Sequence, residues 1–144
     1  MSYVSALQDT LAAEHAALYL YALLGARTSR SAEPTLSGLL EGGYATHRAR
    51  RDRLEAVLRD LDQEPVAAEP AYALDPDGDG TSAVVRRARA VEESCAEAYA
   101  WLVESSASAE RRWAVAALSE AAVRMLDFRG APEMLPGSDE HADR

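Results

Sequence analysis

Apolar residues recur at every third or fourth position in four separate stretches of this chain, and that spacing lines them up along one face of an α-helix. No stretch shows the strict alternation of apolar and polar residues that predicts a strand. The predicted helices cover about residues 2–27, 33–61, 81–105 and 109–128. A chain of 144 residues is the usual size of one domain. The spacing therefore predicts a single all-α domain over residues 1–130, built as a four-helix bundle.

The connection between the second and third predicted helices, QEPVAAEPAYALDPDGDG at residues 63–80, is unusually long. Its three prolines and two glycines disfavour both a helix and a central strand. Fully extended it can reach roughly 60 Å, whereas a helix of about 26 residues is only about 39 Å long. We therefore expect it to cross the whole bundle, so that helices two and three run parallel in an up-down bundle with one long crossover.

The charge balance limits the partners that this chain can take. Its formal net charge is -9, and an excess of negative charge disfavours nucleic acid or an anionic membrane surface as a partner. No apolar run reaches the ~18–20 residues that span a bilayer, and the start MSYVSALQDT lacks the features of a signal peptide. The single cysteine, Cys95, cannot form an intramolecular disulfide. We expect a cytoplasmic protein whose residues 131–144 form an acidic C-terminal tail.

Three of the predicted helices carry an ionisable residue on the face that should point into the bundle. On helix one the apolar spacing passes from Leu11 through Glu14 to Leu18; on helix two it includes His47, and on helix three Glu92. Each lies near the middle of its helix, so a bundle in register brings the three into one layer. Inward carboxylates and histidines at mid-height are the ligands of di-iron and di-manganese bundles, which use two Glu and two Glu-x-x-His motifs.

The chain resembles the ferritin-like superfamily over roughly residues 2–129, and more narrowly a ferritin-like family of unknown function found mainly in actinobacteria. The segments that carry this resemblance are AAEHAALYLYALLGAR, ATHRARRDRL, PAYAL, and FRG followed by LPG. The resemblance implies an iron or manganese site in which Glu14 and Glu92 are carboxylate ligands and His47 is the imidazole ligand, with the phenol of Tyr44 nearby. It implies no established activity.

Two departures from the di-metal arrangement point to an altered site. The residue three positions before His47 is Tyr44 instead of Glu, and Val123 stands three positions after Glu120, where the motif has His. Helix four has a predicted inward face of four apolar residues: Val115, Leu118, Ala122 and Met125. Glu120 lies about 160–200° from most of that face at 100° per residue, so we expect it to be a solvated surface residue.

Two kinds of structure can compensate the buried charges and polar atoms of Glu14, His47 and Glu92. One is a metal site, mononuclear or di-metal, which would make the protein an iron- or manganese-dependent oxidoreductase acting on oxygen or peroxide. The other is a metal-free cluster in which the carboxylates share His47 and an arginine, because a buried carboxylate must be paired or neutral. The candidate partners in that case are Arg50, Tyr21, Tyr44 and Tyr99. We expect the second: a non-enzymatic or ligand-binding bundle with a degenerate metal site.

Three further features bear on partners. Residues 18–24 of helix one are apolar nearly all round and need cover on more than one side, which predicts self-association as a homodimer. The arginine-rich run of residues 47–53 could hold a small anionic ligand or an acidic protein, although acidic residues on the same helix can pair with it. We expect His15 to be a surface or groove histidine, and Cys95 to be an inert small side chain in the core.

Overall fold

The computed structural model describes residues 2–74 and 78–129, and these form four helices with no strand among them. The helices are α1 (Tyr3–Ala26), α2 (Pro34–Asp60), α3 (Thr81–Ser105) and α4 (Ser108–Arg129). The predicted all-α four-helix bundle is confirmed. The predicted acidic tail and the FRG and LPG segments lie wholly or partly outside the described residues. No helix of the described part is long and apolar enough to cross a membrane.

The side-chain contacts fix the directions of the helices. Thr10, in the first half of α1, lies against Ala98 in the second half of α3, so α1 and α3 are antiparallel. Helices α1 and α2 are joined by a short turn, as are α3 and α4, and each of these pairs packs closely. Helices α2 and α3 therefore run in the same direction, and the connection between them spans the length of the bundle. Helices α2 and α4 make far less direct contact than the other neighbouring pairs.

One close approach depends on Gly43 of α2. The ring of Tyr21 from α1 passes so near the Gly43 backbone that a Cβ atom there would overlap the ring. Gly42, the adjacent glycine, has no atom within 4 Å of such a Cβ. A glycine inside a helix is disfavoured, but at position 43 the missing side chain lets the Tyr21 ring reach the bundle interior.

The long connection packs along α1. The side-chain amide of Gln8 donates to the Glu64 carbonyl at 2.7 Å and accepts from the Val66 amide at 2.8 Å. His15 donates from Nε2 to the Val66 carbonyl at 2.9 Å. Of the two positions expected for His15, the surface is excluded and a groove is supported, because the side chain is buried between α1 and the connection. The connection also covers part of the apolar circumference of α1, and the homodimer stays a prediction.

The inward face of α4 differs from the predicted one. Met125 is buried as predicted, but Val115 is 44% exposed, and the other buried residues of the helix are Ala114, Ala117, Ala121 and Phe128. The true face is turned by about one residue, or about 100°, from the prediction. The prediction placed Val115 and Leu118 inward, but α3 packs closely on this helix and Ala114, Ala117 and Ala121 fit that contact better.

A buried histidine–carboxylate centre as the candidate functional site

Glu14 of α1, His47 of α2 and Glu92 of α3 meet in the middle of the bundle, and each is 0% exposed. The helical spacing placed all three on inward faces, and the structure brings them into direct contact. His47 lies between the carboxylates: its Nδ1 is 2.5 Å from Oε2 of Glu14 and its Nε2 is 2.9 Å from Oε1 of Glu92. Both ring nitrogens face acceptors, so both donate when the imidazole carries two protons.

The protonation of His47 follows from competing effects. Burial by itself lowers the pKa of His47, because a charged ring loses its hydration. Hydrogen bonds with Cys95, Glu14 and Glu92, together with the charge of Glu14, outweigh that effect and raise the pKa to about 12. His47 is therefore an imidazolium at neutral pH. It links α2 to α1 and α3 through two charge-assisted hydrogen bonds.

Two tyrosines donate further hydrogen bonds to the carboxylates. The hydroxyl of Tyr21 donates to Oε1 of Glu92 at 2.5 Å, and the hydroxyl of Tyr99 donates to Oε1 of Glu14 at 2.6 Å. Burial raises the pKa of both phenols, and the neighbouring carboxylates raise it further. Both tyrosines thus remain neutral donors. Tyr44, the other phenol considered from the sequence, is 39% exposed and lies in a surface pocket between α1 and α2.

Glu92 stays ionised although it is buried. Burial raises the pKa of this carboxyl, but the hydrogen bond and charge of His47, the bond from Tyr21 and the charge of Arg124 lower it overall. Nη1 of Arg124 lies 3.8 Å from Oε1 of Glu92. Arg124 belongs to α4, and the sequence did not point to it because the inward face of that helix was assigned wrongly.

Arg50 forms the outer boundary of the centre. It is 5% exposed, its guanidinium stacks over the Tyr99 ring at 5.3 Å, and it donates to the Ala117 carbonyl at 3.1 Å. It also donates to Glu120 at 2.8 Å. The side chain of Glu120 is 62% exposed, as expected for a surface residue, yet it reaches a buried arginine. The corrected orientation of α4 accounts for that contact.

The charges of the centre balance. Glu14, Glu92 and Glu120 supply three negative charges, and His47, Arg50 and Arg124 supply three positive charges. A buried ionic cluster is tolerated when each charge has an oppositely charged partner and hydrogen bonds occupy the remaining lone pairs. Three of the four oxygens of Glu14 and Glu92 accept a hydrogen bond, and Oε2 of Glu92 is the one without a partner among the described residues.

Cys95 lies beside the centre on α3. Glu14, His47 and Cys95 each have one potential metal-ligand atom within 4.8 Å of the other two. Burial, followed by the charge of Glu14, raises the pKa of the Cys95 thiol to about 11, so the thiol is neutral at physiological pH. Its Sγ lies 4.0 Å from the Ala13 carbonyl. Cys95 is a small buried side chain at the edge of a polar centre, which agrees with the prediction that it packs in the core.

The arginine-rich run of residues 47–53 does not form one continuous exposed charge surface. Arg50 is buried, Arg51 bonds to the adjacent Asp52 at 2.6 Å, and Arg53 lies 3.3 Å from Glu110 of α4. Arg53 also stacks over the ring of Trp113 at 4.6 Å. Several of these charges therefore have partners within the chain, and two of them face α4.

Comparison with known proteins gives a family and a fold without an activity. The model of a family described as Domain of unknown function (DUF4439) matches residues 6–140. The solved structure of a conserved hypothetical protein, rv2844, from Mycobacterium tuberculosis is similar with a TM-score of 0.80 and 29% sequence identity. That match covers 88% of this chain and 93% of the mycobacterial one. No curated protein matches the chain.

Proposed function

We propose that this chain, which belongs to the DUF4439 family, is a non-enzymatic, ligand-binding helical bundle of ferritin-like architecture with a degenerate metal site. The observation that carries the proposal is the position of His47. Its two ring nitrogens are both engaged by carboxylates, at 2.5 and 2.9 Å. The imidazolium thus stands between Glu14 and Glu92, where a ferritin-like bundle would hold a cation.

The residues present do not fit a di-metal centre. A di-metal bundle has a Glu on the second helix at the position of Tyr44 and a His on the fourth helix at the position of Val123. Val123 is also 61% exposed. Two arginines, Arg50 and Arg124, approach the centre from those same helices. Two further cations beside two carboxylates would create an uncompensated positive charge in the bundle interior.

A single metal ion would also have to displace bonds that already exist. An ion held by Glu14, His47 and Cys95 requires the loss of a proton from an imidazolium with a pKa of about 12 and from a thiol with a pKa of about 11. Metal ligands must be deprotonated, so such values weaken metal affinity near neutral pH. The centre instead suits a structural role, in which one imidazolium holds α1, α2 and α3 in register.

The metal content of the purified protein tests this proposal. After expression in medium supplemented with iron and manganese, we expect less than about a tenth of an equivalent of any transition metal in elemental analysis, because the ligands are held in protonated or hydrogen-bonded form. A stoichiometric metal that disappears in His47→Ala and persists in Tyr44→Phe would overturn the proposal in favour of a metal-dependent oxidoreductase.

The protonation of His47 gives a second measurement on the same protein. With both ring nitrogens protonated, nitrogen-15 spectra should show two protonated imidazole nitrogens for His47 at pH 8, because this ring titrates far above the ordinary range of histidine. His15 provides the internal comparison, since it is also buried but its ring bonds to a backbone carbonyl. A neutral His47 ring at pH 8 would contradict the imidazolium at the centre.

A further inference from the structure

The seam between α2 and α4 differs from the rest of the bundle because the two helices do not close on each other. Two adjoining cavities lie along it, with volumes of about 390 and 470 Å³, and both are lined by Thr46 and Glu120. The first cavity is also bounded by Arg50, Arg53 and Trp113. Such volumes are within the range of small-molecule sites.

The side chains explain why the seam stays open. The helix surfaces that face each other carry small residues, including Ala49, Ala116 and Ala117, and these leave space that no larger side chain fills. The bridges across the gap are polar. Arg50 reaches the Ala117 carbonyl and Glu120, and Arg124 donates to the Thr46 hydroxyl at 3.2 Å.

Arg50 is a buried, positively charged side chain that lines the first cavity. Its side chain is 5% exposed and Cζ of its guanidinium lies 5.3 Å from the centre of the Tyr99 ring, so little freedom remains to be lost when it binds a partner. Its Nη1 has no hydrogen-bond partner among the described residues. Its exposed partner is Glu120, whose side chain is 62% exposed, so that carboxylate can leave the arginine and become hydrated with little penalty.

We propose that the α2–α4 seam binds a small organic monoanion, a carboxylate attached to an apolar body. The carboxylate takes the place of Glu120 on Arg50, where the planar guanidinium offers two parallel donors. The apolar body lies against the alanines of the seam and the ring of Trp113. Arg53 lies at the same cavity, where it is paired with Glu110 at 3.3 Å, so the charge freed for the ligand is that of Arg50 once Glu120 has left.

This inference names the ligand class for the proposed binding role and rests on it. The two proposals fail separately: the metal content and the state of His47 test the centre, whereas the experiment below reports on the seam alone. A protein that binds metal stoichiometrically would overturn the first and leave the seam measurement unaffected.

Trp113 supplies a direct probe of the first cavity. The other tryptophan, Trp101, is largely exposed on α3, so Trp101→Phe leaves Trp113 as the only indole. We expect 3-phenylpropanoate to change the Trp113 fluorescence saturably. The neutral amide 3-phenylpropanamide, of nearly the same shape, should bind at least about tenfold more weakly because it lacks the charge that Arg50 recognises. Equal binding of the two, or no saturation by either, would overturn the proposal.

Glu120→Gln is the decisive variant, since a purely structural role for Arg50 predicts no increase in the affinity for 3-phenylpropanoate. Removal of the competing carboxylate should tighten 3-phenylpropanoate binding about three- to tenfold, by analogy with other charge-assisted pairs. Asp127→Asn is the matched control, because Asp127 lines only the second cavity and removes the same charge from the same helix. Equal tightening by both variants would mean a general charge effect, and would overturn the site assigned to Arg50.

Discussion

The centre and the α2–α4 seam both contain glutamates paired with basic side chains, but the two regions differ in how far those charged groups are exposed to solvent. In the centre, Glu14, His47 and Glu92 are fully buried and nearly every polar atom has a partner. In the seam, Arg50 is buried but its partner Glu120 is exposed, and Arg53 and Glu110 form a longer pair of half-exposed groups. Buried pairs are hard to break because a lone charge would remain without water. Exposed pairs exchange with solvent at little cost, which is why a ligand is proposed for the seam and not for the centre.

The largest effect should come from removing the cation of the centre. His47→Leu leaves two carboxylates without their shared donor, and loss of one partner of a buried ion pair costs about 3–5 kcal/mol. Urea unfolding monitored by circular dichroism measures the loss. A change below about 1 kcal/mol would mean that Glu14 and Glu92 are neutral or hydrated in the folded chain.

The pH dependence of stability should report on the buried ion pairs of the centre. The pKa of His47 is raised from 6.5 to about 12, so its contribution is complete below pH 6.5 and is lost as the pH rises toward 12. The pKa of Glu92 is lowered, so its contribution is present above pH 4.5 and is lost as the pH falls through the folded value. Between pH 6.5 and 8.5, stability should fall by up to about 1.4 kcal/mol per pH unit. Urea midpoints across this range test the slope, which His47→Leu should abolish.

The close approach of α1 to α2 can be tested with adjacent glycines. Gly43→Ala should destabilise the chain by about 1–3 kcal/mol, because the new methyl group overlaps the Tyr21 ring and displaces its bond to Glu92. Gly42→Ala should have the opposite sign, with a gain of up to about 1 kcal/mol from helix propensity in open space. Thermal unfolding of the two variants side by side measures the difference. Equal effects would contradict the packing of Tyr21 over Gly43.

Removing a tyrosine hydroxyl at the centre should reduce the stability of the fold more than removing one at the surface. Tyr99→Phe removes the 2.6 Å donor of Glu14 and should cost about 1–2 kcal/mol, since a buried carboxylate oxygen loses its partner. Tyr44→Phe is the matched substitution at an exposed tyrosine and should change stability by less than about 0.5 kcal/mol. Chemical denaturation resolves the two values. A larger loss in Tyr44→Phe would mean that this phenol, and not Tyr99, supports the centre.

The smallest effect is expected in the seam. Glu110→Gln removes the 3.3 Å partner of Arg53, and a half-exposed pair of this length should contribute less than about 0.5 kcal/mol. The measurement is again the urea midpoint, compared at low and high salt. A cost similar to that of Tyr99→Phe would show that the ion pairs of the seam stabilise the fold as strongly as the hydrogen bonds of the centre.

The sequence predicted the centre well because three helices follow their apolar spacing without interruption. Glu14, His47 and Glu92 interrupt regular apolar faces, and the helical period alone places them inward. The four-helix bundle followed from the same spacing, and the length of residues 63–80 allowed the parallel pair. These properties are local or depend on chain length, so they can be read from one sequence.

The errors came from contacts that a single helix does not encode. The face of α4 was misplaced because its alanines contribute little to an apolar pattern, and Arg124 was missed with it. Helical spacing leaves both a surface and a groove position open for His15, because the path of the connection over α1 cannot be deduced from that spacing. The surface position of Glu120 was predicted correctly, but its bond to Arg50 depends on how far apart α2 and α4 stand.

The pairing of Gln8 and His15 with the connection sets its length as well as its path. By composition, residues 63–80 are a linker, and linkers ordinarily tolerate insertions and deletions. Glu64 and Val66, however, bond to α1 at fixed points one after the other. An inserted residue between the end of α2 and Val66 would uncouple these bonds together. The first part of the segment can therefore vary in composition, because its own backbone makes these bonds, but its length is fixed.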